Sequence, residues 1–183
     1  ELWMIRHGDK DVQGVDTYFD PVIRVQNQPL NTLAVSSRVT REPSSECFFN
    51  RIVSSDLIRA SETAAILSAT LDVPVELDPR FREIDMGALN RHSWSEFRSE
   101  YEQWKKHESD LPYPEGECGA DVWNRCRPAL DELAACGSDR IAVVCHGGVI
   151  RCVVSAVLGL PQQFRFRLGL PPMNTGITIL IQR

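Results

Sequence analysis

Residues 141–151 read IAVVCHGGVIR, an apolar run that leads through a histidine and two glycines into a second apolar segment. The run Ile141–Cys145 has the length and composition of a buried strand. Residues 149–158 have helical spacing and are followed by Gly159 and Pro161, which commonly end helices. A strand that passes through a short loop into a helix is the repeating unit of α/β proteins.

The segments on either side of this unit repeat its alternation of strand and helix. Four further apolar runs predict strands at Leu2–Ile5, Arg51–Ser54, Val75–Leu77 and Ile177–Ile181. Helical patterns occupy Leu57–Thr70, a segment opened by a capping box of Ser93 with Glu96, and Asp121–Cys136, in which Pro128 predicts a bend. The order of elements predicts an α/β fold with a mainly parallel sheet.

Composition limits the kind of protein that this chain can be. It has 183 residues, 43% of them hydrophobic and 25% charged, and a net charge of −5. These values predict one globular domain over residues 1–183. No apolar run approaches the roughly 18 residues of a membrane-spanning helix, so we expect no membrane span. An acidic chain is not drawn to nucleic acids or anionic membranes, although a local basic pocket can still bind a small anion. Nothing in the sequence indicates an oligomeric state.

The six cysteines predict neither a disulfide framework nor a metal site. They are Cys47, Cys118, Cys126, Cys136, Cys145 and Cys152, and no two of them form a C-x-x-C pair. Most lie in segments with strand or helix patterns, which favours buried free thiols. Free thiols are typical of a reducing compartment, so we expect a cytoplasmic protein.

Cationic side chains follow three of the predicted strands where each strand ends. Arg6, His7 and Gly8 follow the first, a polar turn with Arg59 follows the second, and His146 follows Cys145. In open α/β sheets, ligands bind outside the carboxyl ends of the strands. Two arginines and two histidines gathered there suit a phosphate dianion, which guanidinium groups bind through paired hydrogen bonds.

Each of these residues taken singly also has a plainer interpretation. A histidine at a strand end is commonly a packed side chain, and Arg59 could form a surface ion pair with Glu62 one helical turn away, worth only a few tenths of a kcal/mol. The phosphate-site hypothesis depends on the three strand ends acting together.

Motifs in a fixed order along nearly the whole chain resemble the histidine phosphatase superfamily, also called the phosphoglycerate mutase-like family. Arg6-His7-Gly8 is similar to its hallmark tripeptide. The other matching segments are Leu30–Leu33, Ser54–Ala64, Phe81–Gly87, Pro114–Cys118, Val144–Gly148 and Asn174–Thr178. The resemblance implies a three-layer α/β/α fold of the phosphoglycerate mutase-like type around the mainly parallel sheet.

The resemblance also implies roles for individual residues. His7 would be the nucleophile that forms a phosphohistidine, and Glu83 the general acid and later base. Like-charge repulsion from a bound phosphate dianion favours a protonated carboxyl there, as a general acid requires. The substrate-binding residues would be Arg6, Arg59, His146, Gly8, Gln13 and Gly147. Because arginines carry permanent charge, the resemblance implies no metal and no cofactor, and a small phosphorylated metabolite as substrate.

Several positions depart from the family pattern and bear on the substrate. Asp9 and Lys10 replace the usual residues after the first glycine, Gln13 stands at an asparagine position, Cys118 replaces a serine and Ala34 a glycine. The stretch from Glu83 to His146 is shorter than in glycolytic mutases. This favours a phosphatase over a mutase, with phosphoglycerate mutase-type transfer as the alternative.

Two other functional hypotheses remain open from the sequence. Cys145 and Arg151 have the Cys-x5-Arg spacing of cysteine-dependent phosphatases, in which a thiolate attacks phosphorus. A non-catalytic family member that binds a phospho-ligand or a protein is the other. Without the resemblance, Glu83 favours a surface ion pair with Arg80 or Arg82, and Arg151 is expected to be a helix-surface charge. The aromatic residues after Ser93 favour a core contact, with a pocket lining as the alternative.

Overall fold

The sheet that carries the strand ends is mixed and five-stranded in the computed structural model, which describes residues 1–8, 49–138, 140–168 and 174–181. Its strands are β1 (Leu2–Arg6), β2 (Arg51–Ser54), β3 (Val75–Leu77), β4 (Ile141–Cys145) and β5 (Ile177–Leu180), in the order β3-β2-β4-β1-β5. β1 to β4 are parallel, and β5 is antiparallel to β1. The predicted strands and the mainly parallel sheet are confirmed, with ends shifted by at most one residue at β1 and β5.

Helices cover both faces of the sheet because alternate strand residues point to opposite sides. Ala142 and Val144 of β4 join one apolar cluster, which includes Ala60, Ala64 and Leu67 of helix α1 (Ile58–Leu71). Val143 and Cys145 join a second cluster, formed with α3 (Gly119–Ala135) and α4 (Gly147–Val157). This arrangement is the expected three-layer α/β/α fold.

The aromatic segment after Ser93 differs from the single helix that its periodicity predicts. The capping box is present, but it opens a 3-10 turn at Trp94–Glu96. The backbone leaves the helical region at Phe97, and a short helix α2 follows at Arg98–Trp104. Trp94, Phe97 and Trp104 pack against the second cluster as predicted, whereas Tyr101 is exposed. A helix this short lacks the length to hold all four aromatic residues on one buried face.

Helix α3 passes through Pro128 without a break. A proline inside a helix costs about 3 kcal/mol because it removes one hydrogen bond and crowds the preceding turn. Buried side chains of α3 lie on both sides of the proline, with Val122 and Cys126 before it and Leu130 and Leu133 after it. Their packing against the sheet holds both halves in one helix.

The prediction of buried free thiols is correct for only part of the cysteines. Cys126, Cys145 and Cys152 are buried, Cys118 is half-buried and Cys136 is exposed, and these five are free. Cys47 lies outside the described residues. Cys136 is exposed because it caps the C-terminal end of α3.

Parallel pairing places three strand ends side by side. Arg6 of β1 is opposite Cys145 of β4, and Ser54 of β2 is opposite Val144. The next residue of each strand therefore leaves the sheet at the same edge. In the described part of the chain, no helix has both the length and the apolar character to cross a membrane.

Candidate active site

Arg6, His7, Arg59, Glu83 and His146 lie together where the strand ends meet, and we call this group the cluster. His7 is almost completely buried. Its backbone N–H donates to the carbonyl of Cys145, which ties the loop after β1 to the central strand β4. Nδ1 lies 2.6 Å from the carbonyl oxygen of Gly8, and the Nε–H of Arg59 donates to Nε2 at 3.1 Å. The site therefore holds both ring nitrogens of His7.

The two partners of His7 determine where its proton resides. A carbonyl oxygen only accepts, so Nδ1 must carry the hydrogen; a guanidinium group only donates, so Nε2 must present its lone pair. The imidazole is therefore neutral, with the lone pair of Nε2 directed toward Arg59. This is the form that a nitrogen nucleophile requires.

Arg59 is a buried cation, not half of a surface ion pair. Its relative exposure is 1%, which rules out the predicted alternative of a solvent-exposed pair with Glu62. Burial lowers the pKa of the guanidinium; the carboxylate of Glu83 acts against this effect, and the charge of Arg6 adds to it. A phosphate dianion bound here would favour the charged forms of both arginines.

Arg6 and His146 complete the cluster. A Cβ added at Gly147 would lie 3.4 Å from Nε of Arg6, so this arginine lies against the start of α4. The ring of His146 lies 5.0 Å from that of His7, and its Nε2 lies 2.9 Å from the hydroxyl oxygen of Ser55. His146 also directly precedes α4, and the positive end of a helix dipole favours an anion beside it.

Glu83 reaches the same cluster from the loop after β3. Its Oε1 accepts the N–H of Ile84 at 2.9 Å, and its Oε2 accepts the N–H of Gly148 at 3.3 Å. The alternative of a surface pair is not what the structure shows, because Arg82 binds Asp56 and Arg80 binds Asp78 and Glu132. The carboxyl group of Glu83 instead lies at the N-terminus of α4, beside the other residues of the cluster.

The structure thus brings together Arg6, His7, Gly8, Arg59, Glu83, His146 and Gly147. Gln13 lies outside the described residues, as do the departures at Asp9, Lys10 and Ala34 and the motif at Leu30–Leu33. Arg151 is half-buried, with its guanidinium 5.5 Å from the ring centre of Phe166, and so is not the simple surface charge that was expected.

Sequence reasoning missed four residues that position this cluster. Ser55 contacts His146, Gly148 holds the carboxyl of Glu83, and the hydroxyl of Thr63 accepts the N–H of Gly8. Arg125 of α3 donates to the carbonyl oxygens of Arg80 and Glu83, at 2.5 and 3.2 Å. Ser55, Thr63 and Gly148 lie inside the matched motifs, whereas Arg125 carries no sequence signal.

Cys145 does not have the environment of a nucleophilic thiol. It is completely buried on the face of β4 that packs against α3 and α4. Burial raises the pKa of the thiol well above its ordinary value. Reactive cysteines have depressed pKa values and are accessible to substrate, so the Cys-x5-Arg hypothesis is not supported.

A separate cleft of about 440 Å³ lies at the aromatic segment. Its lining includes Arg91, His92 and Phe97 but none of the clustered residues. Both expectations for this segment are thus met in part, since Trp94 and Trp104 pack against the core while Phe97 lines a cleft.

In the part of the chain that the structure describes, no three His, Cys, Asp or Glu side chains are grouped as metal ligands.

Comparison with known proteins identifies the family. The model of the histidine phosphatase superfamily, branch 1, matches residues 2–183. The chain belongs to this superfamily. A probable phosphoglycerate mutase of Proteus mirabilis is 32% identical in an alignment of length 179 that covers 93% of this chain and 80% of the relative.

Solved structures of a phosphatase share this fold. A mycobacterial glucosyl-3-phosphoglycerate phosphatase has a TM-score of 0.74 and 28% identity, over 95% of this chain and 86% of that one. A complex of the same phosphatase with inorganic phosphate has a TM-score of 0.69 at 28% identity, over 92% and 83% of the two chains. The expected phosphoglycerate mutase-like architecture is confirmed.

Proposed function

We propose that this protein is a phosphomonoester hydrolase that acts on a small phosphorylated metabolite through a phosphohistidine on His7. The observation that carries the proposal is the state of this imidazole. Nδ1–H is bound to the Gly8 carbonyl and the lone pair of Nε2 faces a buried guanidinium. A neutral nucleophile beside a fixed cation is what attack on a phosphate ester needs.

In the first step, the Nε2 lone pair attacks phosphorus and the bond from phosphorus to the ester oxygen breaks. The proton of the Glu83 carboxyl passes to the departing oxygen, so the product leaves as an alcohol. Arg6, Arg59 and His146 bind the three non-bridging oxygens, whose charge they offset as the transition state forms. Two guanidinium groups supply this charge compensation, so the mechanism calls for no metal ion.

In the second step, water attacks the phosphohistidine and the bond from phosphorus to Nε2 breaks. The Glu83 carboxylate takes a proton from this water, which restores the acid for the next cycle. Inorganic phosphate then leaves, and His7 regains its neutral form. Arg59 must also exchange partners during turnover, because its Nε–H is bound to the same lone pair that attacks phosphorus.

Phosphoglycerate mutase-type transfer is the second candidate, since the Proteus mirabilis relative is named a probable phosphoglycerate mutase. Hydrolysis is favoured by the mycobacterial phosphatase, which matches 95% of this chain at 28% identity. The two reactions differ in the acceptor of the phosphoryl group. Incubation with 3-phosphoglycerate followed by ³¹P NMR distinguishes them, because hydrolysis yields inorganic phosphate and transfer yields the isomeric phosphoglycerate.

The proposal is tested with p-nitrophenyl phosphate, a small aryl phosphate, in buffer that contains EDTA. We expect the rate of hydrolysis to be the same with and without EDTA, because Arg6 and Arg59 provide the positive charge. Cys145→Ala should leave that rate unchanged within about twofold, since the thiol is completely buried and its pKa is raised. Loss of turnover in Cys145→Ala, with the fold intact by circular dichroism, would contradict the histidine mechanism.

The same family could also hold a non-catalytic binder. Phosphate binding by calorimetry without any turnover of phosphate esters would favour that alternative.

Gly148→Ala is expected to lower kcat by roughly 10- to 100-fold, the scale of loss when a catalytic group is displaced by about 1 Å. A Cβ at this position would lie 2.4 Å from Oε1 of Glu83 and 3.2 Å from Cγ2 of Ile84, so the carboxyl group must move. Steady-state kinetics checks the loss. A double variant checks its origin: in the Glu83→Gln background, Gly148→Ala should have little additional effect. Equal losses in both backgrounds would show that the substitution acts elsewhere.

The five free cysteines support the cytoplasmic setting that we include in this proposal.

A further inference from the structure

The hydroxyl group of Thr63 joins helix α1 to the loop that carries the nucleophile. Its Oγ1 donates to the carbonyl oxygen of Arg59 at 2.7 Å and accepts the N–H of Gly8 at 3.1 Å. Thr63 is completely buried, so water does not compete for either bond. A hydroxyl can donate once while accepting, and Thr63 uses both capacities.

These two bonds close a ring with the two bonds of the His7 imidazole. The Arg59 side chain donates to His7, Nδ1 of His7 donates to the Gly8 carbonyl, Gly8 N–H donates to Thr63, and Thr63 donates to the Arg59 carbonyl. Every donor in the ring points the same way around it. The imidazole of His7 and the hydroxyl of Thr63 each accept one bond and donate the next, so the two bonds at each of these groups strengthen each other.

The ring links the position of His7 to the tautomer it adopts. Gly8 has no side chain to restrict its backbone, so its carbonyl needs an external anchor in order to face Nδ1. Thr63 supplies that anchor through the adjoining N–H. Without the hydroxyl, the Gly8 carbonyl can turn away from Nδ1. When Arg59 exchanges partners and binds phosphate, the proton of the imidazole is then free to move to Nε2, which would remove the attacking lone pair.

We propose that Thr63 is a positioning residue that keeps His7 in the Nδ1–H form and aligned for attack. This rests on the proposed function, in which Nε2 of His7 is the nucleophile. Thr63 does not touch the substrate; it acts through Gly8. The hydroxyl, not the methyl group, carries the effect.

The test compares Thr63→Val, which keeps the shape and removes the hydroxyl, with Thr63→Ser, which keeps the hydroxyl. For Thr63→Val we expect kcat to fall by roughly 10- to 100-fold with KM changed much less, because alignment is lost while the phosphate-binding groups remain. Thr63→Ser should restore most of kcat. Thr70→Val is the matched control, since Thr70 makes the same type of bond to the carbonyl four residues earlier, Ile66, but on the exposed side of α1.

A second readout does not depend on turnover. The ¹⁵N chemical shifts of His7, recorded with saturating inorganic phosphate so that Arg59 binds the anion, report its tautomer. We expect the Nδ1–H form in the unmodified protein and in Thr63→Ser. A mixture with the Nε2–H form is expected in Thr63→Val. If the protein hydrolyses no phosphate ester, the proposed function fails while this shift still decides the role of Thr63.

Retention of both kcat and the Nδ1–H tautomer in Thr63→Val would overturn the proposal. So would an equal loss in Thr63→Ser and Thr63→Val, because the methyl group's packing would then be responsible. If Thr63→Val does not fold, Thr63→Ala provides the hydroxyl-free protein for the same two measurements.

Discussion

Replacing His7 with alanine should lower kcat/KM for p-nitrophenyl phosphate by about 10⁴-fold or more, the scale seen when a catalytic nucleophile is removed. In the proposed mechanism Nε2 forms the bond to phosphorus, and its lone pair lies beside Arg59. Water attacking directly would lose the proximity that a fixed imidazole provides. Steady-state hydrolysis, with circular dichroism to verify the fold, measures the loss.

Trapping of the phosphorylated intermediate tests whether His7 or His146 is the nucleophile. Acid-labile, base-stable phosphoprotein should form from ³²P-labelled substrate in the unmodified protein and be absent in His7→Ala. His146→Gln is the matched comparison, because this histidine lies in the same cluster, 5.0 Å from His7 between ring centres. It should still form phosphoprotein, but more slowly. Labelled phosphohistidine in His7→Ala would refute the assignment of the nucleophile.

Glu83→Gln should lower kcat for an alkyl phosphate by roughly 10²- to 10⁴-fold, the usual contribution of general acid–base catalysis. Glutamine keeps the shape and one oxygen acceptor for the N–H groups of Ile84 and Gly148, but it has no acidic proton to give. An alkoxide leaves poorly without a proton, whereas p-nitrophenolate leaves well. The loss should therefore be much smaller for phosphorylation by the aryl ester.

Rapid-mixing kinetics tests this difference. With p-nitrophenyl phosphate, Glu83→Gln should show a burst of nitrophenolate followed by slow turnover, because phosphorylation proceeds while water activation is impaired. Glu76→Gln, which removes an exposed carboxylate paired with Arg51 away from the cluster, should behave like the unmodified protein. Equal losses in the rate of phosphorylation by alkyl and aryl esters would contradict the role of Glu83 as the acid.

The fold and the meeting of strand ends could be predicted because both depend on short-range pattern. Apolar runs at Leu2–Ile5 and Ile141–Cys145 encode strands, and parallel pairing then places Arg6 opposite Cys145. The side chains that follow are close together as a consequence of the topology. The family motifs added the location of Glu83, whose own sequence context is that of a surface charge.

The supporting contacts could not be predicted, because they depend on backbone groups and on side chains from distant elements. Gly148 acts through its N–H and its missing Cβ, neither of which a residue pattern displays. Arg125 donates to the carbonyl oxygens of Arg80 and Glu83 from helix α3, which starts more than thirty residues later in the chain. Phe97 interrupts a helix that periodicity makes continuous, since its backbone angles are set by tertiary packing.

The place of β1 between β4 and β5 governs when the site can form during protein synthesis. Leu2 pairs with Ile141 on one side and with Leu180 on the other, so both neighbours of the strand that carries His7 are made long after it. Contacts between such distant segments slow folding and leave intermediates with open strand edges. A nascent chain that has emerged only as far as α3 therefore carries His7 at the end of an unpaired strand. The ribosome must translate nearly all of the residues seen here before the proposed site can assemble.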